Sequence, residues 1–262
     1  MIYLIGPRGR LASYFTETLI RNNQDFRLVQ TREGFFLDKI ESHDTILNFA
    51  ARGVKSEERT LIDSTFRQIN VDLPRYLSQK CLETGAYLIH FTTALELVKD
   101  REDYYTKTKF ESTEQVLSLA SLGLRVACIS LPSIVGFMNR PSYLERQILN
   151  VISKKVLINP DVPFDRGMLH KQDFSAILNL TLINQWKSEE VITIKPITQI
   201  TTEVFTTAMN AFLTKQNWNP EISDWPEIKG VDFVDSNLSL EPLDSSTLME
   251  LLLNEAQRYG AT

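Results

Sequence analysis

Tyr105 and Lys109 stand at the spacing that puts two side chains on one face of a helix. A cation beside a phenol favours the phenolate and lowers its pKa from about 10 toward neutrality. Such a tyrosine can pass a proton to a carbonyl oxygen as hydride arrives at the carbon. Thr93 ends the apolar run Ile89-His-Phe-Thr-Thr, and its hydroxyl could hold the same oxygen. By itself Y-x-x-x-K also describes a tyrosine resting over a lysine on a solvated helix. The company it keeps, a strand ending in Thr-Thr and a glycine turn at the head of the chain, favours chemistry.

That turn reads Gly6-Pro-Arg-Gly9-Arg-Leu-Ala12 and follows the apolar run Ile2–Ile5. Backbone amides at a helix N-terminus attract phosphate, and glycine lets a ligand approach closely. Gly6, Arg8, Gly9, Arg10 and Leu11 are the candidate contacts. The spacing G-x-x-G-x-x-A differs from G-x-G-x-x-G, and a tight strand-to-helix turn without a ligand would use the same glycines. Arg32 follows the second apolar run, where an NAD-specific site usually carries an acid for the ribose 2′-hydroxyl. Cations at positions 8 and 32 suit a 2′-phosphate and so NADP, unless Arg32 is simply solvated.

Strand-like and helix-like segments alternate through the first half. Strands are expected at Ile2–Ile5, Phe26–Val29, Phe35–Leu37, Thr45–Ala50, Ala86–Phe91 and Arg125–Leu131. Helices are expected at Leu11–Asn22, at Glu57–Leu82 with a break or kink at Pro74, and at Tyr104–Ala120. Alternation implies an α/β fold, a doubly wound parallel sheet whose ligands bind at the carboxyl ends of the strands. Residues 1–136 form this nucleotide-binding core. Residues 137–262 form a small substrate lobe with elements returning to the core. Helices are expected there at Gln172–Leu182, Thr202–Leu213 and Ser245–Arg258, the last capped by Ser245 or Ser246.

Composition sets the outer bounds. The chain has 262 residues, 43% hydrophobic and 23% charged, which excludes global disorder. No run approaches the roughly 20 apolar residues of a membrane helix. The opening lacks the basic residues and long apolar run of a secretory leader, so a cytoplasmic protein is expected. The net charge of −5 argues against nucleic acid, whose phosphate backbone needs a dense basic surface, but not against a small anionic ligand. Cys81 and Cys128 lie in apolar surroundings, without metal-ligand spacing, and read as buried thiols. No metal is expected.

Taken in order, these residues resemble the extended short-chain dehydrogenase/reductase superfamily, the NAD(P)-dependent nucleotide-sugar epimerases, dehydratases and reductases. Gly6-x-x-Gly9-x-x-Ala12 is similar to its glycine motif. Asn48-Phe-Ala50-Ala51 is similar to the small-residue stretch lining the cofactor, and Asn70-Val71 to the opening of a core helix. Thr93 takes the catalytic Ser/Thr place, and Tyr105 with Lys109 the catalytic pair. Leu131-Pro132-Ser133-Ile134-Val-Gly136 resembles the segment touching nicotinamide. Arg166-Gly-Met-Leu-His170-Lys-Gln-Asp173 resembles an R-x-x-x-H-x-x-D run whose arginine contacts the diphosphate of the sugar nucleotide. The resemblance implies a nucleotide-sugar substrate bound by Arg166, Asn70 and Thr93. It also implies a homodimer through the helices around Leu61–Leu82 and Tyr105–Ala120. Ile5 departs from the motif, where a threonine is usual, and the stretch Glu33–His43 is short.

Dehydratases of that superfamily carry an Asp-Glu pair after the catalytic threonine. Here Ala94-Leu95 stands there, which disfavours dehydration. Reduction of a nucleotide-linked keto-sugar at its C4 carbonyl by NADPH is the leading expectation. A 4-epimerase using NAD is the alternative, and a non-catalytic dinucleotide sensor is an alternative of another class. His90 reads as a packed core residue. His170 reads as either a site residue or a structural one. Asp173 reads as a cap on the following helix. Trp186, Trp218 and Trp225 read as packing in the smaller lobe, and Glu221–Glu227 as a solvated loop.

Overall fold

Four strands of four residues, two of seven and one of two line up side by side to build the main sheet. The computed structural model describes residues 1–30, 37, 39–53, 64–94, 104–153, 167–187, 190–195, 200, 202–215, 238–239 and 243–260. The expected strand Phe35–Leu37 falls almost entirely outside them.

In the first half the order is β1 (Ile2–Ile5), α1 (Arg10–Arg21), β2 (Phe26–Val29), β3 (Thr45–Asn48), α2 (Ser64–Arg67), α3 (Leu73–Thr84), β4 (Tyr87–Thr93), α4 (Tyr104–Ala120) and β5 (Arg125–Leu131). It continues with β6 (Ser133–Val135), α5 (Tyr143–Ile152), β7 (Met168–His170), α6 (Lys171–Asn184), β8 (Ile192–Lys195), α7 (Thr202–Lys215), β9 (Leu238–Ser239) and α8 (Ser245–Gly260). The main sheet runs β2-β1-β3-β4-β5-β8-β9, and a second, two-stranded sheet pairs β6 with β7. The pairs from β2 to β8 are all parallel. From β1 the chain first adds β2 on one side and then β3 on the other. The topological switch point, where doubly wound sheets bind ligands, therefore lies between β1 and β3.

The chain divides into two compact units. One comprises residues 1–131, 175–194 and 234–238, and the other residues 132–174, 195–233 and 239–262. In the first unit, Ile5, Ile46, Leu73, Leu77, Leu88 and Val126 pack into one buried cluster that holds helices to the sheet. β3 and β4 are buried at every residue, as expected of parallel strands covered on both faces. Both cysteines are free and buried, and burial pushes the Cys81 thiol up to about 12. In the second unit, α5, α7 and α8 share a core that includes Leu144, Ile148, Phe205, Met209 and Leu252.

Four expectations need correction. The helix around Pro74 is not simply kinked. Five residues, Gln68–Asp72, form a π turn between α2 and α3, with Pro74 in the first turn of α3. Proline has no N–H to give the carbonyl four residues back, so the wider turn sits where regular bonding would fail. The cap of α8 is Asp244, whose Oδ1 accepts the N–H groups of Ser246 (3.0 Å) and Thr247 (2.9 Å). A helix absent from the sequence reading, α5, begins with a capping box: Ser142 Oγ accepts the Glu145 N–H, and the Glu145 carboxylate accepts the Ser142 N–H. Trp186 belongs to the first unit, where its carbonyl accepts the Tyr87 hydroxyl at 2.6 Å. Trp218, Trp225 and Glu221–Glu227 lie outside the described residues. Among the described residues no helix is long and apolar enough to cross a membrane.

Candidate active site

The turn after β1 is built around Gly6, whose φ is +77°. A Cβ there would stand 2.8 Å from the Ala50 Cα and 2.9 Å from the Ala50 nitrogen. Only glycine permits both the left-handed backbone and this close approach of the β1 and β3 exits. The Gly6 N–H donates to Val29 O (3.1 Å), and the Gly9 N–H folds back onto Gly6 O (3.1 Å). Gly9 then caps α1 with no side-chain acceptor, and no acid stands in the first turn. A helix start left this way presents amide hydrogens and the positive end of the helix dipole to an anion. Arg8 is exposed, while Arg10 and Leu11 are half-buried. Arg32 lies outside the described residues.

Beyond β3, Asn48 is buried and engaged on both sides. Its Oδ1 accepts the Ala50 N–H at 3.2 Å, and its Nδ2 lies 3.3 Å from His90 Nδ1. It thereby fixes the bend into Ala50, which is buried, and Ala51, which is exposed. Phe49 stacks on Phe91 across the sheet, with centroids 5.0 Å apart.

Asn70 sits in the π turn and is fully buried. Its Oδ1 accepts the Arg52 N–H (2.8 Å), and its Nδ2 donates to Arg52 O (3.0 Å) and to Thr108 Oγ1 (3.4 Å). The expected substrate contact is thus a clamp on the chain after β3, with no exposed surface to offer a ligand.

The helix α4 carries the candidate catalytic pair. Lys109 is only 3% exposed, and its Nζ donates to Phe91 O at 2.6 Å, two residues before Thr93 at the end of β4. Thr93 itself is buried. Tyr105, one turn earlier than Lys109, is half-buried and meets Phe66 edge-on at 6.5 Å between centroids. The Tyr105 carbonyl accepts the Thr108 hydroxyl at 2.9 Å. His90 is completely buried near Ser112, with Nε2 and Oγ 3.5 Å apart. Burial, reinforced by the Lys109 charge, holds its pKa well below the ordinary histidine value, so the ring is neutral. His90 is therefore a packed core residue, and the charge in this region belongs to Lys109.

In the second unit, β6 pairs with β7 in parallel, Val135 opposite His170. Pro132 and Ile134 are buried and Ser133 is half-buried, its N–H donating to Gly167 O at 3.0 Å. Arg166 lies outside the described residues. His170 is buried, with Nε2 3.5 Å from Glu255 Oε1. Asp173 stands in the first turn of α6, and burial raises its pKa against the opposing effect of His170. The sequence reading missed three charged residues gathered here. Glu145 was legible through the spacing Ser142-x-x-Glu145. Lys171 and Glu255 carry no local signal, because they meet only in the fold.

A doubly wound parallel sheet with its switch point at a glycine turn is a Rossmann-type fold. Among solved structures, the chain is similar to MoeE5 in complex with UDP-glucose and NAD (16% identity, 100% of this chain and 99% of that chain, TM-score 0.75). It is also similar to dTDP-glucose 4,6-dehydratase from Bacillus anthracis in complex with NAD (14% identity, 100% and 96%, TM-score 0.71). A third is UDP-glucuronic acid 4-epimerase from Bacillus cereus in complex with UDP-glucuronic acid and NAD (14% identity, 98% and 99%, TM-score 0.69). At such identities the likeness is one of fold, and the fold expected from the sequence is borne out. No protein-family model matches the chain, and no curated protein matches its sequence.

Proposed function

We propose that the protein is an NAD(P)-dependent enzyme of nucleotide-linked sugars, and specifically an NADP(H)-dependent reductase of a keto-sugar at C4. The observation that carries this reading is the buried Lys109 ammonium, bonded to the Phe91 carbonyl two residues before Thr93 and one helical turn from Tyr105. A charge is costly to bury. A lysine buried between the end of β4 and α4, beside a neutral histidine, suits a chemical role for its charge.

The residues after β1 suit a dinucleotide. The Gly6 turn leaves no room for a Cβ, and the α1 start has neither a capping side chain nor an acid to compete with a phosphate. A reduced nicotinamide bound in such a fold supplies the hydride. Tyr105 supplies the proton to the sugar oxygen, Lys109 favours the charged form that Tyr105 then takes, and Thr93 orients the carbonyl by hydrogen bonding. Pro132, Ser133 and Ile134 meet the nicotinamide end, and Arg166 meets the diphosphate of the substrate. Arg8 and Arg32 favour NADPH through its 2′-phosphate, so Arg32→Ala is expected to weaken NADPH more than NADH.

A second reading, a nucleotide-sugar 4-epimerase, draws support from the likeness to the NAD-bound Bacillus cereus enzyme. The two separate in one experiment. A reductase consumes added NADPH stoichiometrically with a UDP- or dTDP-linked 4-keto-sugar. An epimerase keeps NAD through purification and turns over without added cofactor. A chain that binds dinucleotide yet does neither, across a panel of such sugars, would be a sensor instead.

A further inference from the structure

We propose that Glu255 and Lys171 are positioning residues that fix the chain leaving β6, and through it the placement of Pro132–Gly136 against the nicotinamide. This rests on the reading above that Pro132, Ser133 and Ile134 meet the cofactor.

Phe137 is gripped by both of its backbone polar groups. Its N–H donates to Glu255 Oε2 at 2.8 Å, and its carbonyl accepts Lys171 Nζ at 2.6 Å. Lys171 Nζ and Glu255 Oε1 lie 2.8 Å apart, which closes a ring of three interactions. One residue earlier, the Gly136 N–H donates to Glu145 Oε1 at 2.8 Å. Two consecutive amides are therefore taken by two carboxylates, one from α5 and one from α8. The φ of Gly136 is +116°, open to glycine and rarely to other residues. A Cβ there would come within 2.7 Å of the Lys171 Cδ, so the lysine stem lies across the glycine.

The other strand brings a histidine near the same carboxylate. His170 Nε2 stands 3.5 Å from Glu255 Oε1, and His170 is in register with Val135. The neighbours His170 and Lys171 thus bring an imidazole and an ammonium to one carboxylate oxygen at the ends of β6 and β7. Burial opposes the charge on Glu255, yet its contacts with His170, Lys171 and the Phe137 N–H outweigh that and hold the carboxyl at about 2. The Glu255 carboxyl is therefore ionised at neutral pH. The Glu255–Lys171 pair, with Glu145, dictates the direction in which the chain leaves β6.

The test compares Glu255→Gln, Lys171→Met and the double variant with the parent protein. Amide hydrogen exchange over residues 133–142, read by mass spectrometry without ligand, is expected to speed up in all three. Each single variant removes one half of the Lys171–Glu255 ion pair and melts lower, whereas the double variant, which removes both charges, recovers much of that loss. Turnover of the double variant is nonetheless expected to stay down by about tenfold or more, with substrate KM little changed, because misplacement acts on the reacting geometry. Lys171→Arg, which keeps the cation, is expected to restore most of the turnover lost in Lys171→Met. Unchanged exchange over 133–142 in Glu255→Gln would overturn the clamp. Faster exchange with parental turnover and NADPH affinity in the double variant would overturn the positioning role. A parent protein that binds no dinucleotide overturns the proposed function and the positioning role with it, and it is told apart because the exchange measurement needs no ligand.

Discussion

Lys109 on α4 donates to the carbonyl oxygen of Phe91 on β4 at 2.6 Å, and so pins the helix that carries Tyr105 to the strand that ends in Thr93. The bond ties the helix of two candidate catalytic residues to the strand of the third.

Lys109→Met preserves the apolar stem and removes the ammonium. Turnover is expected to fall by about 10²-fold or more. The melting temperature is expected to change little, because relief from a buried charge offsets the lost bond. Removal of the charge also lifts one of the two causes that hold His90 down, so the His90 ring should titrate at higher pH in the variant, as NMR can read. Steady-state kinetics beside a thermal melt separates this outcome from simple unfolding, in which both would collapse.

Gly6→Ala is expected to be far worse than Gly9→Ala. The first forces a left-handed backbone onto alanine and drives its methyl to 2.8 Å from the Ala50 Cα, while the second meets only Gly6 O at 3.3 Å. Strain and overpacking together put the Gly6→Ala cost at about 2–4 kcal/mol. Urea unfolding of the two variants side by side checks the ranking, and equal losses would contradict it.

Asn70→Ala removes the partner of both Arg52 backbone groups. The expected loss is about 1–3 kcal/mol of stability for the hydrogen bonds removed. Because the Asn70 amide is fully engaged inside the protein, substrate KM at a temperature where the variant is folded should stay near the parent value. A selective rise in KM without loss of stability would return Asn70 to the substrate.

Stability should depend on pH in two separate windows. Above about pH 6.5, His90 is neutral in the folded and unfolded chain alike and contributes nothing to the pH dependence. As pH falls below that value the unfolded chain takes a proton that the folded chain refuses, so stability drops by at most about 1.4 kcal/mol per pH unit. Glu255 acts lower. Its contribution is complete above its ordinary value of 4.5 and is lost as pH falls toward about 2. Urea unfolding of the parent and of His90→Gln between pH 7 and pH 5 isolates the first window. The variant should show the shallower slope.

The parts of the fold that obey local rules were legible. The strands Ile2–Ile5 and Arg125–Leu131 and the helix Tyr104–Ala120 have the bounds their apolar patterns imply, and Gly6 does what a glycine at a strand end is expected to do. Ser142-x-x-Glu145 also obeyed a local rule, but its helix was hidden by the loops marked by Asn139, Arg140 and Pro141. Asn70 was recognisable as a motif residue and not as a clamp, because its partner Arg52 lies 18 positions away. The Glu255–Phe137 bond spans 118 positions and depends on which face of α8 turns inward. Asp244 displaced the expected serine caps because a carboxylate one residue earlier reaches two amides at once.

Tyr105→Phe gives the most direct test of the central claim that Tyr105, one helical turn from Lys109, is the proton donor in a hydride transfer to a sugar carbonyl. Single-turnover oxidation of NADPH by a UDP- or dTDP-linked 4-keto-sugar should slow by about 10²-fold or more in the variant, with dinucleotide affinity kept close to that of the parent. A variant that transfers hydride at the parental rate would contradict it.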